Sequence, residues 1–124
     1  MSFESVLQTL VDQCSGVLGA ALMGTDGIPI AQVQAKDAPR GTLAEDIASA
    51  AVEFGRILDD LAKAADALDA GEVAETVITT ARFVMVLRRV DADSFLVVAL
   101  APSGNLGKAR YLIRRHLASI REEM

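Results

Sequence analysis

Two residues of this sequence could carry chemistry by type, and both have apolar surroundings. His116 is the only histidine and lies at the margin of the apolar stripe of a C-terminal helical pattern, where a partly buried, hydrogen-bonded imidazole is the default. Cys14 is the only cysteine and lies on the apolar face of the first helical pattern. A thiol in such a place packs as a small hydrophobic group. We therefore expect no catalytic residue, and no His/Cys cluster with metal-ligand spacing is present.

The segment GNLGKA (residues 104–109) is similar to a phosphate-binding loop but lacks its essential spacing. That loop needs four residues between its glycines and a Ser or Thr after the lysine to coordinate Mg²⁺. Here only two residues separate Gly104 from Gly107, and Ala109 follows the lysine. The sequence predicts no cofactor and no nucleotide site, so the function must come from the surfaces of the protein.

Length and charge narrow the class of protein. A chain of 124 residues fits one domain, residues 1–124, that can bury a core. The net charge of −5 argues against nucleic-acid binding, which needs a basic surface. No apolar run is long enough to span a membrane, no signal peptide is read, and a single cysteine suits a reducing compartment. We expect a cytoplasmic domain that binds other proteins.

The apolar periodicity predicts three helices and five strands in the order α-ββ-α-βββ-α. Asp26-Gly27 supplies the tight turn of the first hairpin, and Pro29 assigns the returning strand to a sheet edge. The predicted segments are a helix over 3–14, strands over 17–23 and 28–33, a long helix over 42–68, strands over 73–80, 82–90 and 95–101, and a final helix. This order indicates an α+β fold, an antiparallel sheet with helices packed on it.

The long predicted helix has two stripes. Thr42 and Glu45 form a capping box, and at 1.5 Å per residue the helix is about 40 Å long, more than its own core needs. At 100° per residue the large residues face the sheet: Leu43, Ile47, Ala50, Phe54, Ile57, Leu58, Leu61, Ala65 and Leu68. Beside them lies a stripe of small residues: Ala44, Ala48, Ala51, Gly55 and Ala62, with Val52 just beyond.

The small-residue stripe has two readings. It lets a second backbone approach closely, and Gly55 costs about 1 kcal/mol relative to Ala inside a helix, which indicates a need for space. Alternatively, alanine is there because it favours helices. On the first reading, Ala51→Arg or Gly55→Arg abolishes partner binding and leaves the fold intact.

The strand VAETVITT is the second surface suited to contact. It has strong β preference and contains neither Pro nor Lys, so at a sheet edge it is an undefended template for another chain. Pairing with a second copy brings the two long helices together by two-fold symmetry. The predicted dimer interface therefore contains Ala44, Ala51, Gly55, Ala62, Glu75, Val77, Ile78 and Thr79.

The order of elements, the hairpin GAALMGTDGIPIA, the strand FLVVALAP and the helix start GNLGKARYLIRR resemble the Roadblock/dynein light chain family. The resemblance covers the chain from the first helix to about Ile120. It implies a five-stranded sheet whose third strand pairs across a homodimer, with the second helices packed together.

Within that family, the chain is similar to the bacterial MglB/MglC-like branch and closer to MglC-like adaptors. The resemblance implies a role in a Ras-like small-GTPase circuit of the cell polarity and gliding motility type. The partner is the GTPase or a paralogous Roadblock regulator. By position, the partner-binding residues fall near Ala48, Ala51, Val52 and Gly55. Direct activation of the GTPase without an arginine finger is the alternative, and a small-ligand sensor is a further one.

Overall fold

The computed structural model describes residues 2–36 and 47–123. It contains the three helices and five strands of the predicted order, which confirms the α+β fold. The elements are α1 (Phe3–Gln13), β1 (Val17–Gly24), β2 (Pro29–Gln34), α2 (Ile47–Ala67), β3 (Glu75–Thr79), β4 (Val84–Asp91), β5 (Ser94–Leu100) and α3 (Leu106–Glu122). The predicted capping box at Thr42 and Glu45 lies outside the described residues.

All five strands form one antiparallel sheet in the order β2-β1-β5-β4-β3. The central strands β1 and β5 are buried along their whole length, as expected for strands covered on both faces. The two edges are β2 and β3. The edge position predicted from Pro29 is confirmed, and VAETVITT meets the condition, a place at a sheet edge, under which it is an open template.

Helices α1 and α3 cover one face of the sheet. Their apolar stripes bury Val6, Leu7, Leu10, Leu112, Ile113, Leu117 and Ile120 against alternate residues of the strands. Ser2 begins α1 by accepting a hydrogen bond from the Ser5 backbone N–H, and Asn105 begins α3 by accepting one from Lys108 N–H. Each cap satisfies a helix-end donor that otherwise has no partner.

Helix α2 packs on the opposite face of the sheet. Ile47 and Ala51 are buried there with Met85, Phe95 and Val97. All residues from Leu61 to the end of α2 are exposed or half-buried. The helix therefore leaves part of its own apolar surface uncovered by the rest of the chain.

The β1–β2 turn is a structural corner, as the Asp26-Gly27 pair predicts. Asp26 Oδ1 accepts a hydrogen bond of 3.0 Å from Ile28 N–H, and Gly27 has a φ of +88° that side chains rarely adopt. The pairing register shifts within β2: Leu22 pairs with Ala31, whereas the next residue, Met23, pairs with Pro29. Ile30 is therefore an extra, bulged residue. The edge at β2 thus combines a proline with a bulge.

Candidate functional site

The free edge of β3 presents the backbone groups of every second residue. Arg89 N–H donates to Ala74 O at one end of β3, and Thr80 N–H donates to Phe83 O at the other. Hydrogen-bonded and non-hydrogen-bonded pairs alternate along an antiparallel ladder. Thr76 and Ile78 therefore bond β4, while the N–H and C=O groups of Glu75, Val77 and Thr79 point away from the sheet. This edge can accept a further strand.

The side chains of β3 alternate between the two faces of the sheet. Ile78 is half-buried and packs against the cluster under α2, so its predicted interface role is limited by contacts within its own chain. Val77 is 38% exposed, and Thr79 is exposed. Glu75 lies with Val77 and Thr79 on the face opposite to Ile78, and its carboxylate binds Arg110 of α3 and Arg88 of β4.

The direction of the small-residue stripe on α2 differs from the prediction. Ala51 has no exposed surface and lies in the core cluster beneath α2. A Cβ added to Gly55 would approach Phe95 Cζ at 3.3 Å, so the glycine allows α2 to lie close to its own sheet. The inward face of α2 is thus rotated by about 60° from the predicted one, at 100° per residue.

Because of this rotation, the prediction that Ala51→Arg and Gly55→Arg leave the fold intact is wrong. Ala51→Arg places a charge in a filled core, and Gly55→Arg crowds the Phe95 ring, which must shift to accept the added Cβ. Both changes disturb the fold itself, because a buried unpaired charge and an overpacked contact are each destabilising. Loss of partner binding in these variants therefore does not identify a partner surface.

The same rotation exposes large apolar residues that the sequence assigned to the core. Ile57 is 44% exposed, Leu61 is 37% exposed and Leu68 is 80% exposed. Phe54, on the same flank of α2, makes an edge-to-face contact with Phe83 at 6.0 Å between ring centroids. Because Phe83 lies beside the β3–β4 turn, this flank faces the β3 side of the molecule. We call Ile57, Leu61 and Leu68 the α2 flank.

A second exposed apolar patch lies at the β1–β2 corner. Ile28 is 62% exposed and Ile30 is 45% exposed. Val52 of α2 is half-buried and would meet a Cβ at Gly27, so it adjoins this corner on the side of α2 opposite to the flank. We call Ile28, Ile30 and Val52 the hairpin patch. Sequence reasoning named only Val52, although two isoleucines around the edge proline were a signal that could have revealed it.

The remaining predicted residues have different outcomes. Ala62 is half-buried on α2. Ala48 lies within α2, but its side chain is outside what the structure describes, and Ala44 lies outside the described residues altogether. Their roles stay predictions.

The thiol and imidazole have no catalytic arrangement in the described parts of the chain. Cys14 is 3% exposed and its Sγ–H donates to Asn105 O at 3.4 Å. Burial raises the pKa of the Cys14 thiol above its ordinary value. The nearby Lys108 ammonium lowers that pKa by a smaller amount. A thiol of this kind is a poor nucleophile. His116 is half-buried at the edge of the α3 stripe, as its position in the sequence predicts.

A cavity lies between α2 and the start of β3, lined in part by Leu58, Leu87 and Phe95. Its volume is about 20 Å³, close to the space of a single water molecule. Small-molecule pockets are typically 300–1,000 Å³, so this cavity is too small for a metabolite, whereas the grooves beside Cys14 and Ile28 have volumes of about 310 and 400 Å³. In the described part of the chain, no helix has the length and apolar character to cross a membrane.

Comparison with known proteins identifies the fold and the family. No family model matches the chain, and no curated protein matches it. Among solved structures, MglC from Myxococcus xanthus is 35% identical, with 100% of both chains covered and a TM-score of 0.71. A Roadblock/LC7 domain from Streptomyces avermitilis is 14% identical, covers 98% of this chain and 97% of that one, and has a TM-score of 0.82. An MglB chain with tetrameric arrangement is 18% identical, with 96% and 85% covered and a TM-score of 0.84.

A five-stranded antiparallel sheet with two helices on one face and one on the other is, by these comparisons, a Roadblock-type domain. The sequence identity of 35% over the full length of MglC shows membership of the same family and not only a shared fold. The chain belongs to the Roadblock/dynein light chain family and is MglC-like.

Proposed function

We propose that this protein is a non-enzymatic homodimeric adaptor in a Ras-like small-GTPase circuit of the cell polarity and gliding motility type. It acts through contacts with the GTPase or with a paralogous Roadblock regulator. The full-length similarity to MglC supports a regulator of the gliding-motility GTPase system. The observation that carries the proposal is the presence of two separate exposed apolar surfaces, one suited to a second copy and one to a different partner.

The first surface is the β3 edge together with the α2 flank. Glu75, Val77 and Thr79 offer free backbone groups, and Ile57 and Leu61 offer apolar side chains on the same side of the molecule. A two-fold axis beside β3 extends the sheet from five to ten strands and brings the two flanks together. Burying backbone groups and apolar area in one interface is the simplest way to remove both liabilities.

The second surface is the hairpin patch. Self-association through β3 leaves Ile28 and Ile30 uncovered, because β2 lies at the opposite edge of the sheet. Ile28 and Ile30 line a groove whose polar residues include Asp26, Asp93 and Ser94. Exposed aliphatic residues with a polar rim are typical of a protein-binding site. We assign this patch to the heterologous partner.

The test is a pull-down with two candidate partners, a Ras-like GTPase loaded with GTP and a paralogous Roadblock protein. Ile28→Asp is compared with Leu61→Asp, because each places one carboxylate on one surface. The proposal predicts that Ile28→Asp loses the partner and keeps the dimer. Leu61→Asp should weaken the dimer directly, and any loss of partner binding should follow from that. Binding that survives Ile28→Asp in a folded dimer contradicts the assignment.

A phosphate-release assay with the same GTPase separates the adaptor from the direct activator. The adaptor gives no stimulation of GTP hydrolysis at saturating protein. Stimulation by the native chain would replace the proposed function by GTPase activation.

A further inference from the structure

The carboxylate of Glu75 lies at the beginning of β3, on a strand whose outer backbone groups have no partner among the described residues. Inward-pointing charges on edge strands normally prevent pairing with another chain. Here the charge is held within the molecule, because Arg110 Nε of α3 donates a hydrogen bond to the Glu75 carboxylate. The Glu75 side chain is only 11% exposed. Glu75 therefore does not act as a free charge at the edge.

Arg110 makes the stronger of the two contacts with Glu75. Arg88 reaches the carboxylate through one terminal nitrogen at 3.5 Å, the limit of a hydrogen bond, while Arg88 Nε is buried without a hydrogen-bond partner. Arg110 approaches much more closely. Arg110, a residue of the helix behind the sheet, is therefore the main counter-charge of the edge strand.

We propose that the Glu75–Arg110 ion pair makes the β3 edge competent to pair with a second copy of this chain, with the two-fold axis at Val77. The inference rests on the self-association in the proposed function, and it adds a register and a residue outside the edge that controls it. The outward groups belong to Glu75, Val77 and Thr79. An axis at Val77 uses all three, because Val77 then faces its own copy and Glu75 faces Thr79 of the second copy.

Pairing in this register covers the Glu75 carboxylate with a second strand. Removing water from a carboxylate is costly unless an opposite charge remains beside it. Arg110 is 41% exposed and lies on α3, so it supplies that charge from behind the sheet. Without Arg110 each copy buries a poorly paired carboxylate. Because the dimer is symmetric, this desolvation cost is incurred at both copies of Glu75.

The test measures dimer dissociation constants by sedimentation for the full chain and three variants. Arg110→Gln removes the counter-charge, and Arg114→Gln removes an exposed charge from the same helix as the matched control. We expect Arg110→Gln to weaken the dimer by about tenfold and Arg114→Gln to change it by less than about twofold. The double variant Glu75→Gln/Arg110→Gln should restore dimerisation, because it removes the charge that needs a partner.

The rescue distinguishes a charge effect from damage to α3. A double variant as weak as Arg110→Gln would overturn the proposal, as would an Arg110→Gln dimer of native affinity. Thermal unfolding of each variant confirms that it is folded. A native chain that stays monomeric would instead refute the proposed self-association as a whole.

Oxidative cross-linking tests the register independently. Val77→Cys should form an intersubunit disulfide much faster than Ile78→Cys, because directly opposed residues lie within the Cα separation that a disulfide spans. The native Cys14 is buried, so the unmodified chain gives the background rate. Faster cross-linking by Ile78→Cys in a native-like dimer overturns the Val77 axis.

Discussion

The two edges of the sheet manage the same physical problem in opposite ways. At β2, Pro29 lacks an N–H group and Ile30 is bulged out of the ladder. Proline and bulges are two means by which proteins prevent edge pairing. At β3, the regular register from Glu75 to Thr79 contains no proline, lysine or bulge. One edge is closed against strand addition, and the other is open to it.

The exposed apolar side chains are distributed differently at these two edges. Ile28 and Ile30 lie at the closed edge, beside the proline and the bulge. Ile57 and Leu61 lie on the flank of α2 toward the open edge, where backbone and side chains can bind together. We infer that the open edge selects a second copy by strand register, and the closed edge selects a different protein by side-chain fit.

The largest expected effect is on the open edge. Val77→Lys places two ammonium groups opposite each other at the proposed axis, and edge lysines oppose strand pairing. We expect the dimer dissociation constant to rise by about 100-fold or more, measured by sedimentation. Gln32→Lys, an exposed position on β2, is the matched control and should leave the dimer unchanged.

The comparison of the edges fails if these two lysines behave alike. Equal weakening would indicate a general charge effect. A stronger effect at Gln32 would place the interface on β2.

A smaller effect is expected at the closed edge. Ile28→Asp should weaken partner binding by about thirtyfold, comparable to the loss of about 2 kcal/mol at an interface hot spot. Because Ile28 is 62% exposed, the stability of the chain should change by no more than about 0.5 kcal/mol. Calorimetric titration with the partner and thermal unfolding measure the two quantities, and a large loss of stability would show that Ile28 supports the fold.

The smallest effect is expected at the β4–β5 turn, where Asp93 O accepts a hydrogen bond from Thr25 N–H at the β1–β2 corner. Hydrogen bonds from Ser94 Oγ and from Asp93 N–H hold the pKa of Asp91 below its ordinary value. Its contribution to stability is therefore present above about pH 4 and is lost as the pH falls through the lowered pKa. Asp91→Asn should cost less than about 1 kcal/mol, and the cost should vanish in acid unfolding curves.

The dimer dissociation constant near neutral pH should be the same for Asp91→Asn and for the native chain. A clear shift would mean that the turn communicates with an edge. It would also show that the edge variants report more than local contacts.

The sequence carries enough local information to predict the order of elements and the edge position of β2. Asp26-Gly27 requires a turn, and Pro29 excludes a central strand. These are effects of one or a few neighbouring residues. They do not depend on how distant parts of the chain pack.

The direction of α2 could not be predicted because periodicity alone does not say which of two adjacent stripes faces the sheet. Large residues were assigned inward, and Ile47, Phe54 and Leu58 do pack there. Close packing against Phe95 also turns Ala51 and Gly55 inward, which leaves Ile57 and Leu61 partly exposed. The Glu75 cluster was missed for a related reason. Arg110 lies 35 residues from Glu75, and only the packing of α3 on the sheet brings them together.

The most direct test of self-association through an open edge is the mass of the native chain in solution at micromolar concentration. Light scattering should give about 26 kDa, twice the 13.1 kDa of one chain, and Val77→Lys should reduce this to the mass of one chain. A native mass near 13.1 kDa, or a dimer that Val77→Lys leaves intact, would contradict the account.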